Sequence, residues 1–307
     1  MANTISKNIF SNTFTVLKNT IKGFSEDKGL KLSASLAYYT LFSLAPLLLL
    51  IISVAGAFFG KDAVKGSVFT ELNDLIGNEA AAQVQKVIQN MELSGDTKAS
   101  LVISVVILII GATTIFGEIQ DSINHIWKVK AKPKKGWVKL LKDRLLSGSI
   151  IIGLGFLLII SLVINGILGA FGTVLKNWLP DFSVIVLTVL SNCINFAVLA
   201  FLFAAIYKIL PDAKVRWKDV RAGALFTALL FLLGRYLIGI YITSTGVGSP
   251  YGAAGSLIVI LIWVYYSAAI LYISVEFTLA YAAFRGEDII PAQYAVAIEE
   301  HEVEKEA

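Results

Sequence analysis

The chain has little of what a soluble enzyme or a disulfide-stapled domain needs. Among its 307 residues there is one cysteine, Cys193, and there are two histidines, His125 and His301. One cysteine forms no internal disulfide, and two distant histidines do not supply a typical cluster of metal ligands. The sequence also has no phosphate-binding loop of the G-x-x-x-x-G-K-[ST] type. We therefore expect neither a metal nor a bound cofactor.

Charged residues are scarce and apolar residues are in excess. Charged residues make up 16% and hydrophobic residues 56% of the chain, and the mean hydropathy is +0.75. A run of about 18 apolar residues crosses a hydrocarbon core of about 30 Å. Six runs reach this length, at residues 36–59, 99–116, 146–171, 183–210, 222–243 and 253–283. Because they are continuous and do not alternate, they predict an all-α membrane protein with six transmembrane helices.

The distribution of positive charge predicts the orientation of these helices. Most of the 26 basic residues lie before the first run, between the second and third, between the fourth and fifth, or after the sixth. Cytoplasmic loops carry such an excess of Lys and Arg. The pattern predicts a multi-pass protein with both termini in the cytoplasm. Basic segments also meet anionic headgroups, so we expect membrane lipids as partners and no nucleic acid.

Two segments lie outside the predicted spans. Residues 5–24 place apolar side chains at helical spacing and lysines on the other face, which is the pattern of an amphipathic helix on the inner leaflet. The end of the chain is rich in glutamate and is predicted to be disordered. The expected organisation is a cytoplasmic interfacial helix in residues 1–35, a six-helix membrane domain in residues 36–285, and a disordered acidic tail in residues 286–307.

Two charged residues lie well inside the predicted spans, Arg235 in the fifth and Glu276 in the sixth. A charge at a helix centre costs about 2.5–3.5 kcal/mol on insertion scales, so such residues usually face the protein interior or a wet cavity. At about 1.5 Å per residue, Arg235 lies about 20 Å and Glu276 about 10 Å from the cytoplasmic helix end. They therefore pair directly only with tilt or snorkelling, and we interpret both as candidates for a substrate or ion pathway.

Other polar residues lie at matching depths in the predicted spans. They are Tyr39 and Ser43 in the first span, Asn192 and Asn195 in the fourth, and Tyr265 and Tyr272 on the Glu276 face of the sixth. This set predicts a polar, cytoplasm-facing cavity lined by the first, second and sixth spans, with Arg235 deeper. The alternative is that the tyrosines and asparagines only form interhelical hydrogen bonds that hold the bundle together. The sequence leaves both interpretations open.

Two further features lie toward the inner side of the membrane. Pro46 interrupts the first span and predicts a kink, which is either an ordinary kink or part of a transporter site. The helix that leaves the second span carries acidic and imidazole side chains on one face. The predicted cytoplasmic salt-bridge network consists of Glu118, Asp121, His125, Arg144 and Arg221.

Four segments, in this order, carry a resemblance to one known family. They are SASLAYYTLFSLAPLLLL at 33–50, TTIFGEIQDSINHIW at 113–127, YKILPDAKVRWKDVRAGAL at 207–225 and YGAAGSLIVILIWVYYSAAILYISVEF at 251–277. Through them, the chain resembles the YihY/BrkB family of bacterial inner-membrane proteins. One departure is visible, because the family often has Gly-Ala-Glu where this chain has Ser274-Val275-Glu276.

The resemblance implies a six-helix protein of the bacterial inner membrane. Relatives were formerly labelled ribonuclease BN, but metal-dependent hydrolysis needs clustered His, Asp and Glu ligands. The sequence shows no such run, so we expect that the protein is not an enzyme. A role in moving lipids has been suggested for some relatives. The predicted function is a transporter or flippase of lipid or other amphipathic molecules through the polar cavity. The alternatives are an ion- or proton-coupled carrier of a small solute and a non-transporting envelope assembly protein.

Overall fold

The computed structural model describes residues 9–43, 114–132, 180–246 and 255–299, together with positions 82 and 85. The described chain is mainly helical, as the sequence predicts. In chain order the elements are α1 Ile9–Glu26, α2 29–43, α3 114–126, β1 Val129–Ala131, α4 Pro180–Ile209, β2 Ala213–Lys214, α5 Trp217–Thr245, α6 Gly255–Phe284, β3 Ile290–Pro291 and β4 Ala295–Ala297. Pro46, Arg144 and the predicted third span lie outside the described residues.

Three of the described helices are long and apolar enough to cross a membrane. They contain the segments Val189–Ile209, Trp217–Thr245 and Leu257–Phe284, which coincide with the predicted fourth, fifth and sixth spans. The last segment has 28 residues and is about 42 Å long at about 1.5 Å per residue, which exceeds a hydrocarbon core of about 30 Å. Its ends therefore extend into the interfacial regions. Of the predicted first and second spans, the described parts are helical.

The ends of these helices follow from local sequence. After α4, Pro211 lacks a backbone N–H and disfavours a helical conformation at the residue before it. Helix α5 has Asp219 in its first turn, where a negative charge complements the helix dipole. It ends at Gly246, which takes the left-handed conformation with a φ of 55° and donates its N–H to the Ile242 carbonyl at 3.2 Å. A proline after α4 and a left-handed glycine at the end of α5 thus separate the long apolar helices.

Helices α5 and α6 pack closely and antiparallel through small residues. A Cβ at Gly223 would collide with the Thr278 hydroxyl, and a Cβ at Gly234 would lie 2.6 Å from the Tyr266 ring. Between these glycines, Ala224 and Ala228 are buried. Small residues let membrane helices approach closely enough for van der Waals packing to hold them. Glycine at position 223 is therefore required by the approach of α6.

We expect Gly223→Ala to lower the free energy of unfolding by about 1–3 kcal/mol, because an added methyl group overpacks the α5–α6 contact. The change is measured by unfolding the detergent-solubilised full chain with denaturant. Gly239→Ala on the same helix is the matched control, since a Cβ there meets nothing within 4 Å. Equal stability of the two variants would contradict this account of the α5–α6 contact.

The largest hydrophobic core among the described residues lies at the end of the bundle where α3, α4 and α6 finish and α5 begins. We call this the ladder end, because the short strands β1–β4 also lie there. The Trp127 indole Nε1 donates to the Val275 carbonyl at 3.3 Å and ties the end of α3 to α6. Tyr207 of α4 is fully buried; its hydroxyl lies 2.8 Å from Thr227 Oγ1 and donates to the Leu271 carbonyl at 3.2 Å. These bonds fix α3, α4 and α5 against α6.

The segment after α6 corrects one prediction, because it is paired and not disordered up to residue 299. Strand β4 pairs antiparallel with β1, and β3 pairs antiparallel with β2. The sequence reason is that residues 289–298 read IIPAQYAVAI, with apolar side chains suited to short edge pairing. The glutamate-rich composition that predicts disorder belongs to the very end of the chain, and residues 300–307 lie outside the described residues.

We expect removal of residues 287–307 to destabilise the protein, whereas removal of residues 300–307 leaves its stability unchanged. The longer deletion removes the Ala292 N–H bond to the Asp212 carbonyl and the Ile298 N–H bond to the Lys128 carbonyl, and each such bond contributes about 1 kcal/mol. The measurement is the thermal midpoint of each full-length or truncated chain in detergent. Equal midpoints for the two truncations would show that the strands contribute nothing.

Candidate functional site

Glu276 is buried at the contact between α6 and the N-terminal helix α1. Its side chain is 3% exposed, and a Cβ added at Gly23 would lie 2.5 Å from Glu276 Oε2. The backbone of α1 therefore lies directly over the carboxyl group. Among the described residues, Glu276 Oε1 has no hydrogen-bond partner. Glu276 is thus held at a helix contact with half of its hydrogen-bonding capacity unused.

Two charged residues from other segments stand beside Glu276. Asp27, at the end of α1, is within hydrogen-bonding reach of the Glu276 carboxyl, and Lys128 acts on it at longer range. The Lys128 Nζ lies 2.5 Å from Asp27 Oδ1, and the Asp27 side chain is 11% exposed. We call Asp27, Lys128 and Glu276 the acid cluster. In it two carboxyl groups share one ammonium group, so it holds either a bound proton or an excess negative charge.

Tyr272 lies one helical turn from Glu276 and is completely buried. Its hydroxyl lies near Ser122 of α3 and, at longer range, Glu118, and among the described residues it has no hydrogen-bond partner. The structure therefore brings together two residues of the predicted pathway, Tyr272 and Glu276, on the face of α6 that α3 and α1 cover. Residues from α1 and Lys128 were not part of the predicted set, because a glycine and a loop lysine carry no sequence signal for such a contact.

Arg235 lies in a different environment on α5. It is half-buried, its guanidinium lies 5.1 Å from the centre of the Tyr236 ring, and its Nη2 donates to the Tyr236 hydroxyl at 3.2 Å. Tyr236 is 61% exposed. The contact of Gly234 with Tyr266 and Ile270 places Arg235 roughly 10–15 Å from Glu276 along the bundle. Within the described ranges, no ion pair joins Arg235 to an acid.

The remaining predicted pathway residues are spread over three helices. On α2, Ser43 is buried and Tyr39 is 37% exposed, with its ring against Tyr38. On α4, Asn192 is exposed and Asn195 half-buried, and Tyr265 of α6 is half-buried. No hydrogen bond, ion pair or ring contact of the described chain joins any of them to Glu276.

Three ion pairs of the described chain at the ladder end involve residues outside the predicted network. They are Lys128–Asp27, Arg216–Glu287 and Arg285–Asp219, the last with Nη1 2.9 Å from Oδ1. Arg221 donates its Nε to the Trp217 carbonyl at 3.3 Å, and Glu118 lies near Tyr272. The acids that sequence reasoning missed are paired with residues far away along the chain.

A reciprocal pair of hydrogen bonds links α3 to the connection between α4 and α5. Asn124 Nδ2 donates to Asp212 Oδ2 at 2.9 Å, and the Asp212 backbone N–H donates to Asn124 Oδ1 at 2.9 Å. Both side chains are buried. We call these two residues the Asn–Asp lock. The lock positions α3, and with it Lys128, relative to the end of α6.

The described chain offers little for metal chemistry. Within the described ranges, no group of three or more His, Cys, Asp or Glu residues is placed to hold a metal ion. The acid cluster instead combines a buried carboxyl, a second carboxyl and one ammonium group. Such a group of side chains can bind and release a proton, or exchange it for a cation.

The long apolar helices and their buried charges define an integral membrane protein. A family model described as Virulence factor BrkB matches residues 20–294. The chain therefore belongs to the BrkB family, which confirms the resemblance found in the sequence.

The curated relatives are named as membrane proteins. The chain is 24% identical to a UPF0761 membrane protein of Psychrobacter sp. (strain PRwf-1), over 91% of this chain and 50% of the relative. It is 29% identical to one of Psychromonas ingrahamii, over 83% of each chain, and 26% identical to one of Vibrio vulnificus (strain YJ016), over 80% of this chain and 75% of the relative. The chain thus spans half the length of the Psychrobacter relative. No solved structure matches it.

Proposed function

We propose that the protein is a multi-pass transporter or flippase of lipid or other amphipathic molecules in the bacterial inner membrane. The observation that carries the proposal is that the two charged residues within the predicted spans, Arg235 and Glu276, lie in different surroundings. Arg235 is half-buried beside the exposed Tyr236 of α5, whereas Glu276 is buried in the acid cluster. An arginine at the edge of the exposed surface attracts an anionic headgroup through charge-assisted hydrogen bonds, and a buried acid carries a proton or tunes the nearby charge.

The surface around Arg235 suits a phosphate headgroup with its acyl chains in lipid. A guanidinium forms bidentate, charge-assisted hydrogen bonds with phosphate oxygens. Leu233, Leu237 and Ile240 of α5 are 54%, 63% and 64% exposed, and at about 100° per residue they lie on the side of the helix turned away from Arg235, beyond the exposed Tyr236. In the proposed arrangement the headgroup binds at Arg235 and Tyr236, while the acyl chains lie against the exposed apolar side chains farther around α5.

The proposal places the ladder end in the cytoplasm, with six spans and both termini on that side. Basic side chains concentrate at this end. They include Lys128, Lys130, Lys132, Lys208, Lys214, Arg216, Lys218, Arg221 and Arg285. Such an excess is typical of cytoplasmic loops. Membrane lipids are the expected partners, and we propose no enzymatic activity.

The test is headgroup flipping of a fluorescent phospholipid in proteoliposomes of the full chain. We expect Arg235→Ala to slow flipping about 10- to 100-fold, because hydrogen bonds to a charged group contribute about 1.5–3 kcal/mol. Glu276→Gln is expected to lose flipping as well. Flipping equal to that of empty liposomes would overturn the passive flippase.

Each variant has a matched control. Arg221→Ala removes an arginine of the same helix whose Nε bonds only the Trp217 carbonyl, and Glu26→Gln removes a glutamate whose side chain is 63% exposed. Both controls should retain flipping. A loss of flipping in the controls would mean that net charge, and not these two sites, is responsible.

The acid cluster favours a second candidate, a proton-coupled carrier of a small solute. Its two carboxyl groups and one ammonium group change net charge when a proton binds, which is what coupling to a proton gradient requires. In that case transport responds to an imposed gradient in the wild type and not in Glu276→Gln. An assembly protein without transport would tolerate neutralising Arg235 and Glu276 together in cells.

A further inference from the structure

Helix α1 presents three distinct faces. The face toward α6 is buried and contains Val16, Thr20, Gly23 and Asp27. A second face holds Phe14, Leu17 and Ile21, which are 70%, 37% and 63% exposed and lie within an arc of about 60° at about 100° per residue. We call these three residues the apolar stripe. Beside the stripe, Lys18 and Lys22 are exposed and begin the polar face. Of these faces, the described part of the chain buries the first and leaves the other two exposed.

The depth of α1 matches that of a helix lying in a membrane interface. The 28-residue segment of α6 is about 42 Å long, so a core of about 30 Å centred on it leaves about 6 Å at each end. Glu276 lies eight residues before Phe284, which is about 12 Å from the end and so about 6 Å inside the core boundary. Interfacial helices bury their apolar face about 5–10 Å into this boundary. Gly23, in contact with Glu276, lies at that depth.

We propose that α1 is a cover over Glu276 that an anionic lipid leaflet holds in place. The occupant of the apolar stripe is the acyl region of the leaflet, since the stripe lies at its depth. Lys18 and Lys22 meet anionic headgroups from the edge of the stripe. Lys22 also lies 3.6 Å from Glu26, but that pair is exposed and such surface pairs contribute little.

The consequence concerns access to the acid cluster. The α1 backbone at Gly23 closes off the Glu276 carboxyl, and Asp27 on the same helix supplies its acidic neighbour. When α1 leaves the leaflet, it carries Gly23 and Asp27 away from Glu276 together. The lipid composition of the leaflet therefore controls how often Glu276 is open to water.

The test uses the full chain in vesicles of phosphatidylcholine alone or with phosphatidylglycerol. Hydrogen–deuterium exchange reports the protection of α1, and labelling with a water-soluble carbodiimide reports access to Glu276 by mass spectrometry. We expect phosphatidylglycerol to slow both the hydrogen–deuterium exchange of α1 and the labelling of Glu276. Lys18→Gln with Lys22→Gln should reverse the slowing by about fivefold for each lysine, because a basic residue near an anionic surface contributes about 1 kcal/mol. Ile21→Ser should also reverse the slowing, because it removes an apolar side chain of the stripe from the acyl region.

Lys214→Gln with Lys218→Gln is the matched control, since it removes two exposed lysines elsewhere and should leave α1 unchanged. Equal exchange of α1 in both kinds of vesicle would overturn the role of the leaflet. Faster exchange of α1 without faster labelling of Glu276 would overturn its role as a cover. Disulfide-linked dimers of Phe14→Cys in a Cys193→Ser background would show that a second copy occupies the stripe and would also overturn the proposal. These readouts require no transport, so they are independent of the flipping result.

Discussion

Asp212→Ala is expected to lower the free energy of unfolding by about 1.5–3 kcal/mol, because it removes a buried hydrogen bond to a charged group and leaves the Asn124 amide unsatisfied. Asp212 is 1% exposed, and the Asn–Asp lock joins α3 to the connection between α4 and α5. Without the carboxylate, the Asn124 amide keeps its buried position and loses its acceptor. The measurement is denaturant unfolding of the full chain in detergent.

A double-mutant cycle separates the lock from other effects of removing Asp212. Asn124→Ala alone and the double variant complete the cycle, and residues in direct contact give interaction energies of about 0.5–3 kcal/mol. Asp288→Ala removes an exposed acid two residues before β3, the strand that pairs with β2, and should change stability by less than about 0.5 kcal/mol. Additive effects of the two lock substitutions would contradict the reciprocal geometry.

The spans were predictable because their signal is local. The apolar runs at 183–210, 222–243 and 253–283 appear in the structure as α4, α5 and α6 with shifts of a few residues at their ends. Hydrophobicity over about 20 residues is sufficient to indicate such a helix. The Asn–Asp lock was not predictable, since its two residues are 88 positions apart and neither stands out in its own segment.

The two charged residues of the candidate site were predictable from the sequence, whereas the residues that contact Glu276 were not. Arg235 and Glu276 stand out because charges are rare in apolar spans. Depth along the helix suggested Tyr39 and Ser43 as neighbours of Glu276, whereas the structure places Gly23 and Asp27 there. A glycine at a helix contact has no side chain that would mark the contact in the sequence. Depth along a helix therefore predicts how far into the membrane a contacting residue lies, but it does not predict which residue makes the contact.

Glu276→Met is expected to stabilise the fold by up to about 4 kcal/mol while abolishing transport. Replacing a buried ion pair by apolar side chains of similar volume is often neutral or stabilising by about 1–4 kcal/mol, whereas removing one partner destabilises only where it leaves the other charge unpaired. The geometry favours this sign, since Glu276 Oε1 lacks a hydrogen-bond partner among the described residues. With Glu276 removed, Asp27 and Lys128 still form their own ion pair.

The sign of this change distinguishes a functional acid from a structural one. A carboxyl that holds α1 onto α6 would destabilise the protein when replaced, and transport would fall because the fold is lost. A carboxyl kept for transport costs stability in the resting protein, so its removal raises the unfolding midpoint as flipping disappears. Thr278→Val is the matched control, because Thr278 is buried on the same helix and its hydroxyl bonds only the Ser274 carbonyl at 2.8 Å. It should leave flipping intact, and a lower midpoint for Glu276→Met would assign Glu276 to structure.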